Sequence, residues 1–155
     1  MKKLKSLINQ LESNFGNIAY SNPAISKGSV GWHIDHTLLT TNAVIKAIEK
    51  SNPAEYKSKF SFVKFYILTS QKIPRARIEA PAQVRPIENF TDEDVRNHFK
   101  ICYDSIKKLD AFKKNNFFPH PFFGHLNLKP SIKFLEIHTR HHLRIINDIL
   151  KADKL

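Results

Sequence analysis

The sequence predicts an all-α fold. A single domain over residues 1–155 is expected, an up-down four-helix bundle with an additional helical segment and a long proline-rich loop in its middle. Three observations carry this expectation. Apolar residues recur at spacings of three and four through four long segments. Clusters of Ser, Asn and Pro separate those segments. Glycine occurs only 4 times, which argues against a turn-rich β-sandwich.

Each element has its own signals. Leu4, Leu7, Ile8, Leu11, Phe15 and Ile18 share one helical face over 3–20, and Ser21-Asn22-Pro23 breaks it. Ser29 is an N-cap for a second helix over 29–50, carried by Val30, Ile34, Leu38, Val44, Ile45 and Ile48. Asn52-Pro53 then places a capping side chain before a proline suited to a first turn. The segment 54–71 holds Tyr56, Phe60, Phe62, Val63, Phe65 and Tyr66, a composition that suits strand as well as helix; the caps and the helical neighbours favour helix. Pro74, Pro81 and Pro86 make 73–90 irregular. Thr91-Asp92-Glu93-Asp94 resembles a capping box and opens a helix over 92–113. Phe117, Phe118, Phe122 and Phe123 lie in what reads as a loop, which must fold over one end of the bundle to bury them. The last helix is expected over 128–151, through Leu128, Leu135, His138, His142, Ile145 and Ile149.

Composition removes several function classes. Lys and Arg number 25 against 14 Asp and Glu, a net charge of +11, but the basic residues are scattered and form no tail. Without an aromatic RNA-binding signature or paired Cys/His fingers, this reads as a solvated basic face, and nucleic acid is not the expected partner. No glycine-rich dinucleotide or phosphate-binding motif is present. The single cysteine, Cys102, excludes an internal disulfide and a multi-cysteine zinc site, and beside Phe99 and Ile106 it reads as an inert buried thiol. No stretch approaches 18 uninterrupted apolar residues, so no membrane association is expected and a cytoplasmic protein is the default. The basic start, Met1-Lys2-Lys3-Leu4-Lys5, leads into an amphipathic helix rather than a signal peptide.

Histidine is the informative residue: five of the 8 follow residue 119. His138 and His142 stand four apart, so on a helix both rings lie on one face, about 6 Å apart along the axis. That face also carries Leu135, Ile145 and Ile149, so it is the buried one. Two imidazoles at this spacing can hold one ion between them at about 2.0–2.1 Å; chance pairing on a partly exposed helix is the alternative. A third ligand must come from another helix, and the second helix offers His33 and His36. Periodicity leaves both open, because His33 lies beside Val30, Ile34 and Thr37, His36 lies on a stripe with Trp32 and Leu39, and a bundle helix touches two neighbours. His141 points about 100° away from His142 and reads as an interface residue. His120 and His125 flank the phenylalanine loop and are candidates for a pocket mouth. His98 follows the acidic helix start and reads as structural.

His120-Pro121-Phe122-Phe123-Gly124, followed by His138-Thr139-Arg140-His141-His142-Leu143, resembles the C-terminal pattern of one branch of the DinB-like family of four-helix bundles, a branch usually labelled a domain of unknown function. The helix order is similar along nearly the whole chain, and least so over about 54–90. The cap Ser29 stands seven residues before His36, the family's spacing, whereas His33 has no such relation to it. The resemblance implies a metal held by His36, His138 and His142. Family motifs continue with Leu-Arg-Gln after the histidine pair; here Leu143-Arg144 is followed by Ile145.

Three neutral imidazoles would leave a divalent ion, zinc or nickel, its full charge and an open position, the arrangement of a catalytic rather than a structural site. The resemblance implies transfer of low-molecular-weight thiols. The functional expectation is therefore a metal-dependent transferase or hydrolase acting on a small molecule, with the ion beneath the 119–125 loop. The alternative is a non-catalytic metal- or ligand-binding bundle that mainly forms a homodimer. Asp35 and Glu136 adjoin the histidines in sequence but point off their faces. Arg75, Arg77 and Arg85 of the proline-rich loop are candidates for binding a substrate carboxylate or phosphate.

Overall fold

The computed structural model describes residues 1–75, 81–86 and 90–152. It is mostly helical, with helices α1 (Lys2–Glu12), α2 (Val30–Lys50), α3 (Phe62–Ser70), α4 (Asp92–Lys108) and α5 (Leu128–Ala152), and a two-stranded hairpin of β1 (Phe117–His120) and β2 (Gly124–Asn127) before the last helix. The all-α class and the bundle packing stand as expected. α2 lies between α4 and α5, and α1 closes the bundle against α5 and, more lightly, α4. The shared core is aliphatic: Leu4, Ile8, Leu11, Ile34, Leu38, Ile45, Ile48, Leu135 and Ile146 are all fully buried.

The caps set the boundaries. Ser29 Oγ accepts from Trp32 N and starts α2, while Thr91 and Asp94 close a reciprocal capping box at α4. The first helix is shorter than the predicted 3–20. Ser13 Oγ and Asn14 Nδ2 both donate to the Gln10 carbonyl, competing for the acceptor that would continue the helix, and the chain makes only a 3-10 turn at Phe15–Asn17 before turning away. The predicted 92–113 helix likewise ends at Lys108 and tightens to a 3-10 turn over Leu109–Ala111.

Within 54–71 the helix is confined to α3. Ser61 caps its start by accepting from Lys64 N, and Gln71, at φ 55°, ends it in the left-handed conformation. Only Ile67 of α3 is buried; Phe62, Val63, Phe65 and Tyr66 face solvent. The described parts of 73–90 are irregular apart from a 3-10 turn at Ala82–Val84.

The phenylalanine segment departs most from expectation. It is a hairpin in antiparallel register, Phe117 opposite Asn127 and His120 opposite Gly124. Gly124, at φ +68°, closes its turn in a conformation that side-chain-bearing residues rarely adopt. Phe117 and Phe123 are buried and Phe118 partly so, while Phe122 remains exposed. Asn116 Nδ2 donates to the carbonyls of Ile48 and Ser51, and Phe117 N to Ser51 Oγ, which pins the hairpin to the C-terminal end of α2.

Candidate metal centre

α2 is packed on two sides by helices and covered at its start by the loop after α1, so its first three turns are buried almost all round. Both His33 and His36 face inward as a result, 3% and 5% exposed. α5 presents His138 and His142 one turn apart. One nitrogen from each of His36, His138 and His142 comes within 4.8 Å of the others. Ligands at about 2.0–2.1 Å from a tetrahedral ion lie about 3.4 Å apart, so side-chain adjustments of about an ångström close the set.

Each ring is held differently. His36 Nδ1 lies 2.7 Å from the Val84 carbonyl oxygen. A carbonyl can only accept, so Nδ1 carries the proton and Nε2 presents its lone pair. His142 Nδ1 meets His33 Nδ1 at 2.9 Å, leaving Nε2 as the nitrogen available to an ion. His138 is partly exposed as a residue, but its Nδ1 is shut off from solvent and has no hydrogen-bond partner among the described residues. A buried nitrogen left unpaired is costly unless something binds there. The three residues thus fit a divalent ion in donor type, number and proximity.

Electrostatics keep the rings in the form a metal needs. Burial pushes His138 and His142 well below the ordinary histidine range, and their neighbouring rings push the same way. Burial also lowers His36, against the opposing pull of its bond to Val84 and of the Asp35 carboxylate. Neutral imidazoles with free lone pairs are therefore the resting state near neutral pH.

Around the three rings lies an aromatic shell. Trp32 stacks on His36 with centroids 5.0 Å apart and planes 17° from parallel. Phe134, one turn before His138, packs against it at 5.7 Å and also carries His120 on its edge at 4.9 Å. Gly28 must remain small here: a β-carbon on it would sit 2.9 Å from the Trp32 ring.

The structure sorts the remaining candidates. His33 joins the cluster through His142 rather than as the third corner. His141 packs edge-on to His142 at 5.0 Å and is lowered to about 4, chiefly by burial and then by Arg75 and Arg144. His120 stacks on Phe123 at 3.8 Å, accepts from Phe122 N and Phe123 N, and is lowered to about 4 by burial. It meets the cluster across the Phe134 ring, which packs on both His120 and His138. His125 stacks on Phe117 and accepts from Lys57 N, tying the hairpin to the chain after α2. Arg75 pairs with Asp148 at 2.6 Å. Arg85 is exposed, and Arg77 lies outside the described residues. Asp35 bonds His98 at 2.6 Å, and Glu136 faces Lys3 on α1, so both carboxylates are engaged elsewhere.

Sequence reasoning missed Ser26, whose Oγ lies 2.9 Å from His33 Nε2, and the Val84 carbonyl. Ser26 stands seven residues before His33, the same spacing that relates Ser29 to His36, and that repeat was the signal available. The Val84 contact is a backbone one and leaves no trace in residue type.

A family model described as "Protein of unknown function (DUF1569)" matches residues 29–148. The chain belongs to the DUF1569 family. The DUF1569 match begins at the cap of α2 and ends in α5, so it contains His36, His138 and His142 with the helices that carry them. No curated protein and no solved structure matches the chain.

Proposed function

We propose that this DUF1569 chain is a metal-dependent enzyme acting on a small molecule, with a divalent ion, zinc or nickel, held by His36, His138 and His142. One observation carries the reading: three neutral imidazoles from two helices converge, and one of them offers a buried nitrogen with no partner among the described residues. An ion bound by three neutral ligands retains its charge and supplies Lewis acidity to a thiol or water at an open position.

The protein's own part is to hold this set ready. The Val84 carbonyl fixes the His36 ring, the His33 ring fixes His142, and Phe134 and Trp32 wall the site with apolar surface. A dry wall strengthens electrostatic attraction within the site. The resemblance to DinB-like bundles adds a reaction class, transfer of a low-molecular-weight thiol to an electrophile. Hydrolysis uses the same ligand set with water in place of the thiol.

A second reading, a non-catalytic metal-binding bundle, draws on the depth of the rings: His36 and His142 are only 5% and 6% exposed. One experiment separates the two. Elemental analysis of protein purified without an affinity tag should find close to one equivalent of metal, which His142→Ala should lose. Turnover in a screen of thiol transfers and hydrolyses should disappear with the metal. Activity that survives metal loss sinks the catalytic role, and a metal-loaded protein without turnover leaves the binding module.

A further inference from the structure

We infer that His33 is a positioning residue that sets the tautomer of His142 and thereby makes its Nε2 a ligand; this rests on the metal reading above. The two Nδ1 atoms are 2.9 Å apart and buried. A hydrogen bond between two ring nitrogens needs one proton and one lone pair, so two neutral rings have only two arrangements. In the first, His142 Nδ1–H donates to His33 Nδ1. His142 Nε2 then carries a lone pair, and His33 Nε2–H donates to Ser26 Oγ, 2.9 Å away. In the second the chain runs backwards: His33 Nδ1–H donates, the Ser26 hydroxyl donates to His33 Nε2, and His142 Nε2 carries a proton that blocks coordination.

Ser26 serves either arrangement. Its oxygen already accepts from Gly28 N at 3.2 Å, which leaves one lone pair and one proton for His33. The Ser26–His33–His142 chain is therefore a reversible proton wire with two settings, and only one setting leaves His142 able to coordinate. His36 needs no such device, because the Val84 carbonyl can accept in only one sense. His33 thus does for one ligand, reversibly, what a backbone carbonyl does permanently for another. Passing from the second setting to the first releases the His142 Nε2 proton at the cluster, shifts the His33 Nδ1 proton to His142 Nδ1 and returns a proton to His33 Nε2 through Ser26 Oγ, so the two rings together hold two protons in either setting.

Two variants and one spectrum test this, with zinc as the probe. His33→Phe keeps a ring but removes the acceptor, and zinc affinity measured by competition with a chromophoric chelator should fall about 10–100-fold. His33→Gln restores a carbonyl acceptor and should recover most of that loss, which a merely space-filling role for residue 33 would not produce. In zinc-loaded wild-type protein, 15N spectra should show His142 bound through Nε2 and protonated at Nδ1. Unchanged affinity in His33→Phe, or His33→Gln as weak as His33→Phe, overturns the inference while leaving the metal site standing. If His33→Phe does not fold, the His142 spectrum decides: an unprotonated Nδ1 overturns it. Wild-type protein that binds no zinc overturns both readings.

Discussion

The indole of Trp32 lies nearly flat on the His36 ring, 5.0 Å between centroids, in a chain that has no other tryptophan. The contact places the protein's single indole fluorophore directly on a candidate ligand. Zinc titration should therefore change Trp32 emission in proportion to occupancy, and His36→Ala should abolish the change. An emission spectrum indifferent to zinc that is bound by other measures would mean that His36 is not at the ion. Gly28→Ala, which forces the indole away, should alter the emission of the metal-free protein.

His138 makes a sharper prediction because its Nδ1 has no described partner. Replacing a buried, unsatisfied polar group by an apolar one of similar size removes a desolvation penalty of about 1–3 kcal/mol. His138→Leu should raise the denaturation midpoint of the metal-free protein while eliminating metal binding. His36→Leu also eliminates binding, but it strands the Val84 carbonyl and should lower the midpoint. Chemical denaturation of the two variants, each without metal, reads the opposite signs.

The Asp35–His98 pair ties α2 to α4 through a carboxylate that is only 1% exposed. Removing His98 alone leaves that carboxylate buried without its partner, so His98→Ala should cost about 3 kcal/mol. Replacing both residues by leucine should cost much less than the single change. A double-mutant cycle measured by urea unfolding checks the asymmetry.

Acid should weaken the fold before the carboxylates titrate. His120 and His141 are lowered to about 4 and His33 to about 3, each chiefly by burial, and the other buried rings are lowered too. The unfolded chain takes up protons near pH 6.5, where the folded one does not, so stability is fully present above that value. It is lost as pH falls from about 6.5 towards 4, and the contributions of His120 and His141 level off below about 4. Urea midpoints at pH 7.5, 5.5 and 4, a range suggested by these shifts, should fall in that order, and the fall should be smaller in His120→Gln.

Much of this was legible in the residues. The caps at Ser29 and Thr91 and the apolar spacing in α2, α4 and α5 predict those helices from local chemistry, which acts between near neighbours, whereas α3 starts at a cap, Ser61, nine residues beyond the Asn52 signal. The hairpin was not legible, because Phe117 and Phe118 carry no alternation that distinguishes a short strand from a buried loop, and its anchor on α2 is Asn116 reaching Ser51 from 65 residues away. The end of α1 was obscured because Phe15 and Ile18 keep the helical spacing after the backbone has left it. At the site, the pair on α5 follows from spacing alone. The choice between His33 and His36 does not, since α2 is buried on nearly every side and periodicity distinguishes only a wet face from a dry one. Their different duties emerge from Val84 and Ser26, contacts outside the helix that carries them.

The three candidate ligands come from the second helix and the last, about 100 residues apart in the chain, a separation at which loop closure carries a substantial entropic cost. During synthesis, at about 5–20 residues per second, α2 leaves the ribosome seconds before α5. Until α5 docks, His36 is a lone imidazole with no special affinity for any ion. On the proposed metal reading, acquiring an ion would be a checkpoint on completed folding: a chain arrested before its last helix, or one in which that helix fails to seat, would have no three-histidine set to offer.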